Sequence, residues 1–581
     1  MKKKPLYSFL ISAACLSVLL VGCSSDDAAS DNTGKNDDKG KEVEGGNVNL
    51  GMTSKPENQF NPLFSTSSYD SRIHERMFEG LLEQNEELEF EPHLATEWEF
   101  SDDNRSITLS LRDDVYWHDG EQFTADDVVF TYEVLAHPDY TAAGGAYGYY
   151  TAELVGYEAY NSGQSDELAG VEKIDDFTVK FTYEEPNVKV LRDVNFPIVP
   201  EHVFGDVEVA DMSKHDASIR PGEIVGTGPF QLSEMIADEQ YVLKANKDYW
   251  QGAPKLDSVT WKVVTADLVA GMLEQGELDF FPEQFPAADA EVMEQNKDFV
   301  VTTEPGFGYQ HLTFKINHGP EEGLNDPSTW KPNKKVQDVK LRQAVMHAID
   351  RQGLVDGLLR GYGTVLDAPF PEKSWAYNPD AVQGLDYDPE KAKQLLADAG
   401  YKDTNGDGFV EDLDGNEFAL NLDYPTGNPV REKSAPIIQE QIQAIGIKVD
   451  LQAPQDTKVY FDRVEKNGAD LDMFLAGWSL GTGDPDPASL YGGTAAYNYA
   501  RFMNEDHEQL LKDGVDPEKA FNNQEYRAEV YMKWAQLFID SAYASPLYSE
   551  SDIHVYTKKL QGIKVMPGSA LEDMHEWYFM K

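Results

Sequence analysis

The chain predicts an α/β fold with mixed sheets, assembled from several chain segments. Segments with apolar residues at helical spacing are interleaved with short runs that alternate as strands do. The 581 residues, 41% apolar and 26% charged, are ordinary globular usage and long enough for roughly three or four domain-sized units. No short-period repeat is visible, so solenoids and propellers are set aside.

Taken in order, the chain opens on an address. Lys2, Lys3 and Lys4 precede an uncharged apolar run, Leu6 to Val21, that is short for a spanning helix. The run ends in Leu20-Val21-Gly22-Cys23, which resembles the lipobox of bacterial lipoproteins, in which the cysteine is lipidated. Residues 1–22 are thus expected to be a lipoprotein signal peptide, with lipidation at Cys23. Residues 23–47 are low in complexity and nearly free of large apolar side chains, and are expected to be a disordered tether. Cys15 and Cys23 are the only cysteines, so thiol chemistry, zinc clusters and disulfides are excluded from the body. A formal net charge of −54 argues against nucleic acid and against an anionic membrane surface. Membrane contact is expected through the lipid alone, with the body as a monomer on the extracytoplasmic face.

Within the body, Ile107–Leu111, Thr178–Phe181 and Ala419–Leu422 alternate as strands. Leu341–Arg360 has helical spacing, with Asp338 placed to cap it. Pro389–Gly400 carries Asp388 at the N-cap, Pro389 in the first turn and Gly400 at the end. Val430–Gly446 reads as another helix. Trp117-His118-Asp119-Gly120 reads as a turn after a strand, with Gly120 supplying the backbone angle.

Three stretches resemble the extracytoplasmic solute-binding proteins of ABC importers, in the oligopeptide and dipeptide-binding group (solute-binding protein family 5). They are Leu94–Glu133 (LATEWEFSDDNRSITLSLRDDVYWHDGEQFTADDVVFTYE); Gly226-Thr-Gly-Pro-Phe230 with Asn246–Trp250 and Gly276–Asp279; and Val339–Arg351 with the following DPEKAK helix. The resemblance implies a two-lobed periplasmic-binding-protein-like fold with a hinge and an extra subdomain in the first lobe. By that pattern 48–90, 220–305 and 545–581 form the first lobe, 91–219 the extra subdomain and 306–544 the second lobe. It also implies an oligopeptide ligand held between the lobes, an ABC permease as partner, and no required cofactor. The superfamily includes binders of dipeptides, nickel, haem and sugars, and a peptide-signal sensor would use the same residues.

The resemblance places a Trp-then-Asp loop at the cleft, where the aspartate meets the peptide's amino group. In this chain the position three residues after Trp478 is Gly481, and the next acids are Asp484 and Asp486. Either Asp484 takes the anchoring role or the ligand is held without an anchored amine; Asp484 is the preferred reading. Trp478 is the expected ligand wall, and Phe307, Tyr309, Tyr491, Tyr497 and Tyr499 are aromatic candidates for the cleft, Tyr309 and Tyr499 foremost.

Asp403-Thr-Asn405-Gly-Asp407-Gly-Phe409-Val-Glu411-Asp-Leu-Asp414 follows EF-hand spacing, with Asp414 where a bidentate Glu is usual. A structural calcium site and an Asx-rich surface turn both fit. Gly477-Trp-Ser479-Leu-Gly481 fits the nucleophile elbow G-x-S-x-G, but Gly483, Pro485 and Pro487 follow where that elbow needs a helix, and nothing marks His507, His554 or His575 as a base. Serine hydrolysis is therefore only a remote alternative, and no enzymatic activity is expected.

Overall fold

A computed structural model describes residues 41–320, 326–466, 468 and 470–581. Cys23, the signal segment and most of the expected tether lie outside the described residues. The last part of that expected tether is paired: Glu42–Val43 runs antiparallel to Tyr578–Met580, and Asn47–Met52 is a strand of the main sheet.

Among the described residues a long mixed sheet runs in the order Val449–Leu451, Leu420–Asp423, Met473–Ser479, Gly308–Phe314, Ala544–Thr557, Phe280–Phe281, Asn47–Met52, Ser258–Val263, Gln240–Ala245, Phe230–Ile236. Ala544–Thr557 joins its two halves. Its first part pairs with Gly308–Phe314, and Ser551–Thr557 pairs with Phe299–Pro305. One core, with Leu50, Trp261, Phe280 and Trp577 fully buried, lies on one half of this sheet. A second, with Leu312, Leu422, Met473, Trp534 and Tyr548, lies on the other. Two cores joined by continuous strands make a two-lobed α/β fold.

Residues 95–182 supply a separate antiparallel sheet, ordered Ala95–Phe100, Ser106–Leu111, Thr178–Thr182, Val171–Asp175. The helix Ala125–Ala136 packs on it, opened by a capping box between Thr124 and Asp127. This sheet shares a continuous core with the first lobe, since Leu109, Tyr132 and Phe181 cluster with Leu50 and Trp261. The WHDG turn adds a polar tie. His118 Nδ1 accepts from Gly226 N–H and its Nε2–H donates to Gly228 O at 2.9 Å, while Gly120 sits at φ +93°. Two separate signature stretches of the sequence thus lock each other.

Local signals decide most elements. Pro389–Ala399 is a helix, with Asp388 capping Lys391 N–H and Gly400 at φ +101°. Pro429–Gln443 is a helix capped by Asn428. The expected helix 341–360 is instead two, Val339–Ala348 and Arg351–Leu358. Ile349 turns extended, and Asp350 caps the second helix by accepting from Gly353 N–H at 2.8 Å. Among the described residues no helix is long and apolar enough to cross a membrane.

Candidate functional site

Met473–Ser479 is a buried strand whose register sets Tyr309 opposite Trp478. Beyond it the chain cannot continue as helix or strand, because Gly481, Gly483, Pro485 and Pro487 interrupt it. It forms a loop, 480–487, before the short helix Ala488–Tyr491. Ser479 therefore has no following helix for eight residues, and the nucleophile-elbow context is missing.

Three adjoining cavities surround this loop and share Gly483 and Asp484 as wall. One, of about 410 Å³, is lined by Phe90, Trp98, Arg192, Trp375, Phe521 and Arg527 among others. A second, of about 520 Å³, lies against Tyr149, Tyr150, Arg192 and Asn195. A third, of about 150 Å³, lies against Phe307, Phe370, Trp375 and Tyr491. Their walls come from both cores, so the loop stands in the cleft between lobes. It also touches the opposite wall. Lys189 Nζ donates to Asp486 Oδ2 at 2.9 Å, and Thr482 Oγ1 to Gln84 Oε1 at 3.2 Å.

The expected site residues divide into two groups. Phe307, Tyr491 and Asp484 line the cleft. Trp478, Tyr497 and Tyr499 line a small cavity that shares Leu490 and Tyr491 with the cleft, and Tyr309 is buried. Trp478 is partly buried and lies near-parallel to the rings of His311 (5.7 Å, 16°) and Tyr499 (5.6 Å, 27°). Tyr309 is buried, its hydroxyl 2.7 Å from that of Tyr491, and Tyr499 donates to Glu465 Oε1 at 3.0 Å. Tyr497 is half exposed and packs edge-on against Trp478. These aromatics build the wall that carries the loop.

Asp484, the expected amine anchor, is paired within the protein. Its side chain is only 9% exposed and forms a two-pronged ion pair with Arg527 at 2.6 and 2.7 Å, Arg527 being 6% exposed. Arg527 Nε–H also donates to Gly514 O, and its guanidinium packs over Trp375 at 5.1 Å. Burial works against charge on Arg527, but the Asp484 carboxylate outweighs it and pushes its pKa further up. Both acids of the loop are thus paired within the protein, Asp484 by Arg527 and Asp486 by Lys189.

Sequence reasoning missed Lys189, Arg192, Trp375 and Arg527. The ion-pair partners lie 43 and 297 positions from their acids, and one sequence holds no signal for such pairs. The tyrosine-rich run 140–160 was a usable signal for the wall carrying Tyr149 and Tyr150.

The EF-like loop folds as successive Asx turns. Asp403 accepts from Gly406 and Gly408 N–H, Asn405 from Asp407 N–H, Asp407 from Phe409 N–H, and Glu411 from Thr404 N–H at 2.7 Å. Asp414 falls in a separate turn, its N–H donating to Asp412. Among the described residues no three His, Cys, Asp or Glu side chains converge as a metal site.

Comparison with known proteins agrees with this architecture. The family described as "Bacterial extracellular solute-binding proteins, family 5 Middle" matches residues 89–499. The oligopeptide-binding protein AppA of Bacillus subtilis is 30% identical over 589 residues, covering 100% of both chains. The dipeptide-binding protein of Escherichia coli is 28% identical over 87% of this chain and 90% of its own. The solved structure of Bacillus subtilis AppA in complex with a nonapeptide superposes with a TM-score of 0.67 at 28% identity, covering 93% of this chain and all of that one. With its two cores, its shared long sheet and a family match spanning most of its length, the chain belongs to the bacterial extracellular solute-binding proteins, family 5.

Proposed function

We propose that the protein captures oligopeptides in the cleft around loop 480–487 and delivers them to an ABC permease. We further propose that it is held on the extracytoplasmic face of the membrane by a lipid on Cys23. The observation that carries the peptide reading is the cleft itself. Adjoining cavities of about 410, 520 and 150 Å³ lie side by side around one loop, which leaves room for an extended ligand. Their lining alternates broad aromatic faces with amide and charged groups, which suits side chains of mixed character in hydrated pockets. The full-length similarity to a relative named for oligopeptide binding supports the same reading.

Native mass spectrometry of protein purified from peptide-rich medium, followed by sequencing of the released ligand, tests it. A ladder of mixed peptides of narrow length range is expected. A protein that carries no peptide and ignores a peptide library would overturn the reading and turn attention to haem, metal-chelate or sugar ligands. The anchor is tested separately: Cys23→Ser should release the protein from the membrane fraction into the medium.

A further inference from the structure

We propose that Arg192 and Asn195 form a carboxylate-binding subsite in the cleft, and that a carboxylate, not the amino terminus, is the ligand's charged anchor. The inference rests on the peptide reading above.

The first support is the state of the loop. Leu480, Gly481, Thr482 and Gly483 carry no charge. Both oxygens of Asp484 are taken by Arg527, while Asp486 accepts from Lys189 and from Ala488 N–H. An incoming ammonium would have to displace a guanidinium that is also held by Gly514 O and the Tyr531 hydroxyl. Glu89 also lines the 410 Å³ cavity, but it is exposed, so water screens its charge.

The second support is Arg192. It lies in the short helix Val190–Asp193 and lines both larger cavities. Its Nε–H and Nη2–H both bond one oxygen of Asp193, which engages a single edge of the guanidinium. The other oxygen of Asp193 accepts from Asn187 at 2.7 Å, so the buried carboxylate is itself fixed and holds the arginine in one orientation. Burial works against the charge of Arg192, but Asp193 outweighs it and pushes its pKa up. The Tyr149 and Tyr150 rings, stacked at 4.8 Å, wall the guanidinium at 5.8 Å each. Asn195, three residues on, lines the same 520 Å³ cavity and accepts from Leu82 N–H through its carbonyl oxygen, so its amide NH₂ is the group it can offer. An oriented guanidinium edge next to an amide donor matches the two acceptor oxygens of a carboxylate.

The ligand carboxylate comes from either the peptide's C-terminus or an Asp or Glu side chain, and the test separates them. Octapeptide pools are titrated into the protein by tryptophan fluorescence. They are prepared as free acids or C-terminal amides, with or without one glutamate, and with free or acetylated amines. Acetylation should change the dissociation constant less than threefold. Removing every carboxylate should weaken binding about ten- to a hundred-fold. Arg192→Gln should abolish that discrimination, and Arg192→Lys should keep part of it. Glutamate-containing amides that bind as well as free acids assign the site to a side-chain carboxylate; amides that bind weakly regardless of glutamate assign it to the terminus. Equal binding of acids and carboxylate-free amides to the unaltered protein would overturn the subsite and leave the peptide reading standing. So would discrimination that survives in Arg192→Gln. If Arg192→Gln fails to fold, the acid-to-amide ratio of the unaltered protein and of Arg192→Lys decides. Failure of every pool to bind would overturn both readings.

Discussion

Replacing Asp484 by alanine separates a structural role from an anchoring role, because the two predict opposite observables. The Asp484–Arg527 pair is bidentate, with side chains 9% and 6% exposed. Two unit charges about 4 Å apart attract by about 4 kcal/mol at an effective dielectric of about 20. Removing the carboxylate leaves the guanidinium buried with Gly514 O and Tyr531 as partners. Breaking such a pair from one side costs about 3–5 kcal/mol. Asp484→Ala should therefore lower the urea midpoint of the second lobe, read by fluorescence of buried Trp534 and its neighbours. Arg527→Met should do the same. The double variant Asp484→Leu/Arg527→Met should recover most of the loss, since neither charge is then stranded. Peptide affinity, measured on folded Asp484→Ala, should fall only as far as the loop loosens. Unchanged stability together with a hundred-fold loss of affinity for free-amine peptides alone would refute this reasoning and return Asp484 to the anchor role.

Lys189→Ala removes an ion pair that spans the cleft, with side chains 27% and 10% exposed; peptide affinity should fall two- to five-fold, and less at high salt, in a binding titration across ionic strength. His93 lies 2.9 Å from buried Glu79 and 3.2 Å from Glu83. Burial opposes its charge, but the two glutamates outweigh it and raise its pKa to about 10. Its stabilising contribution should be full below about pH 6.5 and lost as pH rises toward 10, a loss that melting curves of His93→Gln should not show. Asp552, on the strand that joins the lobes, is raised to about 6 by burial and by the neighbouring charges of Glu550 and Glu304. Asp552→Asn should stabilise the protein above pH 6 and make no difference near pH 4, by thermal melting at both values. Millimolar calcium should leave the melting temperature unchanged; a rise of several degrees would restore the cation reading of 403–414.

Features that depend on neighbours a few positions apart were legible in the amino-acid order. The caps around Pro389–Ala399, the strand Ser106–Leu111 and the turn at Gly120 follow from local hydrogen bonds and backbone preference. The same locality explains the error at 341–360. Apolar spacing there is continuous, but Asp350 offers a competing cap that the spacing alone does not weigh. The family signatures were legible as well, and with them the two-lobed fold.

Which charges line the cleft and which are paired away depended on packing between distant segments. Asp484 looked free beside a glycine-rich turn, yet Arg527 arrives from a helix 43 residues away and neutralises it. Trp478 stood out as an isolated aromatic, and packing sets it near-parallel to His311 and Tyr499. Arg192 carried no signal, and the fold alone brings it to the cleft beside Tyr149 and Tyr150. The difference lies in reach. Backbone hydrogen bonds and caps are satisfied within a turn or two of chain. A buried charge must find its counter-ion wherever packing places one, and sequence distance sets no limit on that choice.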